Sequence, residues 1–244
     1  SDVCSSDLPV SGKAATVALL VGNLSYRNEG MLAHTKDEIK AIESLLKTES
    51  TKAEIKILQE FQATAPAVIA ELDAATIHHF ATHAYVTQSP LETLDKPDGD
   101  EPAILLSGNE RLAASDIANR RQWLHADLTV LSACQTAVGP YQVGEGLLGL
   151  GRAFLIAGSK QVLVSLWSVS DGATAQLMKS VYEKYLSNKG MSLSTALRLA
   201  KTELRPKKQL PGEPRSTSGT LKPPHVQPLS HPYFWAGFVV MKVN

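Results

Sequence analysis

The sequence predicts a three-layer α/β fold with a mostly parallel central β-sheet flanked by helices, and three observations lead there. Short apolar runs such as Thr16–Gly22 (TVALLVG), Asp127–Ala133 (DLTVLSA) and Gln161–Trp167 (QVLVSLW) are rich in β-branched residues and carry little polar alternation, the pattern of strands buried on both faces. Between them lie stretches with apolar residues at helical spacing. Strand and helix alternate along the chain, as in βαβ units. With 244 residues, 43% of them hydrophobic, the chain is long enough to bury a sizeable core.

The elements follow in order. Thr16–Gly22 opens the sheet, and the next turn, Gly22-Asn23-Leu24-Ser25, lacks the glycine pattern that cradles a phosphate. Glu38, Ile39, Ala41, Ile42, Leu45 and Leu46 recur at helical spacing and make one face of an amphipathic helix over Ala33–Glu49. A strand at Ala53–Leu58, a helix at Pro66–Ala75 and a strand at Thr76–Thr82 come next. Tyr85–Glu101 is rich in proline, aspartate and glycine and too long for a mere connection, so it reads as a functional loop. Ala103–Leu106 is a short strand or hairpin, followed by a helix over Ala113–Arg121 with Ser115 or Asp116 near its start. After the strand Asp127–Ala133, a helix over Gly144–Ala157 carries Gly146, Gly149 and Gly151, which allow close approach to the sheet. The strand Gln161–Trp167 and the helices Asp171–Leu186 and Ser192–Leu204 complete the cover. Arg205–Ser230 then combines six prolines and five basic residues with the single acid Glu213 and reads as a basic, proline-rich loop insertion. Tyr233–Val243 is the last strand.

Lysine plus arginine equals aspartate plus glutamate at 24 each, so no net field draws the molecule to nucleic acid or an anionic membrane. No apolar run approaches the roughly 18–20 residues of a membrane span, and the expected location is the cytoplasm. The seven histidines show no pair at metal-ligand spacing within one helix or loop, so a metal site is not expected. Of the two cysteines, Cys4 lies in Asp2–Leu8 (DVCSSDL), which matches the conceptual translation of a sequencing-adapter oligonucleotide. Residues 1–8 are therefore read as an artefact and set aside, the natural protein is expected to continue upstream, and Cys134 is left as a lone thiol.

In a parallel sheet, reacting groups gather outside the carboxyl ends of the strands. The spacing puts His83 at the end of the strand beginning at Thr76, and Cys134 at the end of the strand beginning at Asp127. If these strands are neighbours, a nucleophile and a base share one crevice. The interval, 134 − 83 = 51, is close to the separation of about 50 residues by which histidine precedes cysteine in caspases. His78 and His79 lie within the strand and read as hydrogen-bonded core residues.

Four ordered blocks carry a resemblance. HFATHA (His79–Ala84), LSACQTAVG (Leu131–Gly139), GEGLLGLGRAFLIAGSKQVLVSLWSVSDGAT (Gly144–Thr174) and HPYFWAGFVV (His231–Val240) resemble the signature blocks of CHAT domains, caspase-like cysteine peptidase modules related to caspases and separases. The resemblance implies a three-layer caspase-like sandwich over residues 9–244. It also implies Cys134 as nucleophile, His83 as acid/base, and the backbone N–H groups of Ala84 and Cys134 as oxyanion donors. The chemistry needs no cofactor, the substrate is a protein, and upstream tetratricopeptide-like repeats or a regulatory partner are expected. The segment LWSVSD (Leu166–Asp171) is similar to the LWDVTD of separases, in which an aspartate lies in the pocket for a basic residue. Asp171 is thus the candidate for specificity before the cut, and it equally suits the start of a helix. Asp116 and Glu145 are weaker acidic candidates. The chain departs from the family pattern at Ala84, where glycine is usual, and at Gln135 and Ala137. If position 84 needs a positive φ, alanine there is strained. A partner-binding module that uses the same crevice without catalysis is the alternative reading.

Overall fold

The computed structural model describes residues 16–26, 32–49, 53–85, 101–120, 124–132, 134–136, 145–167, 169–188, 190–205 and 231–243. Six strands form the central sheet: β1 (Val17–Leu24), β2 (Glu54–Glu60), β3 (Ile77–Ala81), β7 (Leu128–Leu131), β9 (Gln161–Ser165) and β10 (Phe238–Lys242). Their order is β10-β9-β7-β3-β1-β2. Five of them are parallel, and β10 closes the sheet antiparallel to β9, with Phe238 opposite Ser165. The predicted mostly parallel sheet is therefore present.

Period-2 alternation divides the apolar runs between two cores. Leu19, Val21, Phe80, Leu131, Val162 and Val164 face one layer, made by α2 (Ala65–Leu72), α3 (Ala114–Ala118) and α4 (Glu145–Ala157). Ala18, Leu20, Ile77, Ala81, Val130 and Leu163 face the other, made by α1 (Thr35–Glu49), α5 (Asp171–Ser187) and α6 (Leu193–Leu204). Burial on both faces is why these strands read as continuous apolar runs. β2, at the edge, alternates exposed and half-buried residues up to the buried Leu58.

Local chemistry sets the helix starts. The side chains of Thr64, Ser170 and Ser192 accept the N–H groups of Ala67, Ala173 and Thr195, capping α2, α5 and α6. Close approach is concentrated at one of the α4 glycines. A Cβ on Gly151 would lie 2.7 Å from Met241 Sδ, whereas Gly149 has its nearest contact at 3.6 Å. After α4, Gly158 has φ +123°, and a Cβ there would stand 2.2 Å from the Leu124 carbonyl oxygen.

Several boundaries differ from the sequence reading. β1 runs on to Leu24, so the expected turn at Gly22 is strand. The closing segment begins as a short 3₁₀ turn at Pro232–Phe234 before β10. The possible hairpin near Ala103 is real, with β5 (Ala103–Leu105) antiparallel to β6 (Arg111–Ala113). The expected adapter-like segment 1–8, most of the loop 85–101 (residues 86–100) and most of the basic insertion 205–230 (residues 206–230) lie outside the described residues.

Candidate active site

Two of the central strands stop short, and this builds the site. β3 ends at Ala81, Thr82 is a break, and the chain re-enters a ladder as β4 (His83–Tyr85). β7 ends at Leu131, and the chain re-enters as β8 (Cys134–Thr136). β4 and β8 belong to a second sheet, of order β6-β5-β4-β8, in which they are parallel. His83 pairs with Cys134, Ala84 with Gln135 and Tyr85 with Thr136. The sequence reading put His83 and Cys134 at the ends of long strands. Each instead opens a new short strand past a break, because β3 and β7 leave the central sheet together at the same level. Strands in a ladder lie about 4.8 Å apart, so the backbones of residues 83 and 134 are immediate neighbours.

His83 is only 6% exposed. Its backbone N–H donates to the Tyr26 hydroxyl at 3.3 Å, and its ring lies 4.7 Å from the Tyr26 ring, tilted by 58°. The Tyr26 hydroxyl is 2.5 Å from Thr82 Oγ1, which donates to the Leu105 carbonyl at 2.5 Å. Tyr26 is absent from the sequence-based candidates. Nothing in periodicity or spacing singles it out, and its only sequence signal is its position just past the carboxyl end of β1.

His78 and His79 point to opposite faces of β3, and both are hydrogen-bonded core residues as expected. His78 bonds to the Leu72 carbonyl at 2.8 Å and to Thr129 Oγ1 at 3.1 Å. Burial lowers its pKa to about 4 against the opposing pull of the Leu72 carbonyl. His79 joins a buried chain on the other face. Its Nε2 lies 2.9 Å from Glu38 Oε1 and its Nδ1 3.3 Å from the Tyr182 hydroxyl, whose pKa burial pushes well up.

Among the acidic candidates, Asp171 is the first residue of α5. Its Oδ2 accepts the His34 N–H at 2.6 Å, tying the entry of α1 to the start of α5, while Ser170 is the cap. Asp116 reaches back to the Ala113 N–H at 3.3 Å and serves the start of α3. Glu145 opens α4.

The sequence model of the CHAT domain matches residues 2–242. The chain belongs to the CHAT domain family. Tetratricopeptide repeat protein 28 of Mus musculus is 32% identical to this CHAT domain over 130 residues, 53% of this chain and 4% of that protein. The Homo sapiens protein of the same name is 30% identical over the same shares. The chain thus matches only 4% of the length of these curated relatives. Similar solved structures include the separase–securin complex of Saccharomyces cerevisiae, at 15% identity and TM-score 0.47, covering 77% of this chain and 10% of that one. The Arg-specific cysteine proteinase gingipain R has 10% identity and TM-score 0.48, covering 78% and 42%. The Drosophila initiator caspase Dronc has 7% identity and TM-score 0.43, covering 80% and 75%.

The departure of this CHAT domain at Ala84 carries no backbone strain. Among the described residues, the non-glycine positions with positive φ are Glu60 and Asn109, so Ala84 does not need the left-handed region. It is fully buried in β4, with Cα partners Ile104 on β5 and Gln135 on β8.

Proposed function

We propose that this CHAT domain is a cysteine endopeptidase in which Cys134 is the nucleophile and His83 the acid/base. The observation that carries this reading is the parallel register that pairs residue 83 with residue 134 where β3 and β7 leave the central sheet together. In the reaction, the Cys134 thiolate attacks the scissile carbonyl carbon, a C–S bond forms, and the carbonyl electrons move to oxygen. The His83 imidazolium gives its proton to the leaving amine as the C–N bond breaks, leaving an acyl-thioester. Water, deprotonated by the imidazole, then attacks the thioester; the C–S bond breaks, releasing the carboxylic acid and restoring the Cys134 thiolate beside the His83 imidazolium. The backbone N–H groups of Ala84 and Cys134 are the oxyanion donors in this reading, each contributing about 3–4 kcal/mol in the transition state.

The substrate is a protein cut after a basic residue, with the Asp171 carboxylate as the charge that selects it. Asp171 opens α5 after the carboxyl end of β9, which runs parallel to β7, and this place on the same edge of the sheet as residues 83 and 134 supports that assignment. The module works under an upstream or partner element, in keeping with relatives named for tetratricopeptide repeats.

The test compares the chain with Cys134→Ala, His83→Ala and Asp171→Ala on fluorogenic peptides varied at the residue before the cut, with and without an upstream region. Cleavage after arginine or lysine is expected, abolished in the first two variants, with the basic preference lost in the third. Cleavage that survives Cys134→Ala refutes the dyad. A basic preference that survives Asp171→Ala refutes the specificity assignment alone, and four folded but inert proteins, the unsubstituted chain included, favour a partner-binding module.

A further inference from the structure

His83 follows a break in the chain, so its direction is not inherited from the central ladder. Proton accounting identifies a second source. Thr82 has one hydroxyl proton and donates it to the Leu105 carbonyl, so towards Tyr26 its oxygen can only accept. The Tyr26 hydroxyl therefore donates to Thr82, and its own oxygen receives the His83 N–H. The Tyr26 ring also packs against the imidazole. One side chain thus touches both the backbone and the ring of His83. The β5–β6 hairpin anchors both ends of this arrangement. Leu105 accepts from Thr82, and Gly108 in the hairpin turn donates its N–H to the Ser25 carbonyl, next to Tyr26, at 3.0 Å.

We propose that Tyr26 is a positioning residue for His83, setting the direction of the imidazole through a Tyr26–Thr82–Leu105 hydrogen-bond chain and a tilted contact between the rings. The proposal's kinetic consequence rests on the peptidase reading above. The imidazole must reach first the leaving amine and then a water, and a misplacement of about 1 Å in such a group costs about a hundredfold in rate. In this proposal Tyr26 acts through His83 and does not bind substrate, so the loss is expected on kcat and not on KM.

The experiment uses the full chain with Tyr26→Phe, Tyr26→Leu and Thr82→Val, and His83→Ala to assign signals. The first readout needs no turnover: NMR of the protein labelled with ¹⁵N-histidine, following the His83 ring. Tyr26→Phe keeps the ring contact and cuts the proton chain, so the His83 signals are expected to shift and broaden while those of His78 and His79 stay in place. Thr82→Val cuts the same chain from the other side and gives the same result, which serves if a Tyr26 variant does not fold. The second readout is peptide cleavage, where Tyr26→Phe is expected to lower kcat about ten- to a hundredfold with KM within about twofold. His83 signals unchanged in Tyr26→Phe or Thr82→Val, or an unchanged kcat in an active enzyme, overturn the proposal and leave Tyr26 a packing residue. If the wild type cleaves no peptide, the peptidase reading fails while the NMR arm still decides the role of Tyr26.

Discussion

Replacing His79 by leucine should destabilise the protein more than replacing both His79 and Glu38. Glu38 is 2% exposed and His79 fully buried, and their side chains meet at 2.9 Å across α1 and β3. His79→Leu leaves the Glu38 carboxylate in an apolar layer among Leu20, Ile42 and Tyr182 with its imidazole partner gone. Breaking a buried pair from one side costs about 3–5 kcal/mol, because the remaining group loses its partner without regaining water. In a chain of this size that lowers the melting temperature by roughly 6–20 °C. Glu38→Leu/His79→Leu removes both polar groups and should recover most of the loss, since apolar replacement of a whole buried pair is often near neutral. Adding Tyr182→Phe removes the hydroxyl left without His79 and should recover about 1 kcal/mol more. The assay is urea unfolding at pH 7 followed by circular dichroism and by tryptophan fluorescence, with coincident transitions as the two-state check. Equal midpoints for His79→Leu and the double variant refute the argument. So does a single variant within about 1 kcal/mol of the wild type, since that requires water or another partner to reach Glu38.

Two further outcomes follow from the core. His78 has a folded-state pKa of about 4 against an ordinary 6.5, so between these values the unfolded chain binds the extra proton. Stability from this group is fully present above about pH 6.5, falls as pH drops towards 4, and amounts to about 3 kcal/mol; urea midpoints at pH 7, 5.5 and 4 should decline accordingly, and His78→Gln should flatten that decline. Gly158→Ala combines a φ of +123° with a Cβ 2.2 Å from the Leu124 carbonyl, so a loss of about 3 kcal/mol or more in unfolding free energy is expected.

The legibility of the fold tracks locality. TVALLVG, DLTVLSA and QVLVSLW read as doubly buried strands because each residue's environment is imprinted on its own apolar character, and all three became central strands. The apolar stripe of α1, from Glu38 to Leu46, was equally plain. Glu38 itself entered that stripe by spacing alone, and its carboxylate proved to be buried against His79. Ser170 rather than Asp171 caps α5, a distinction that adjacent helix-start residues do not declare in sequence. The site was half legible. Residues 83 and 134 could be named from their positions after apolar runs and from the CHAT-like blocks around them, but both were expected to end those strands, whereas each opens a new short one.

What the amino-acid sequence determined by itself is the order and kind of the elements, the two-sided burial of the sheet, membership of the CHAT domain family, and the pair of residues worth testing. These are properties of short windows, where period and residue type suffice. Only the tertiary structure decided that β3 and β7 break together, that residues 83 and 134 stand opposite one another in a second sheet, and that Tyr26 meets Thr82 across 56 positions of chain. Register between strands and hydrogen bonds between distant residues are set by how the two apolar layers pack as a whole. A free-energy minimum shared by the entire core leaves no local trace in the residues that it brings together.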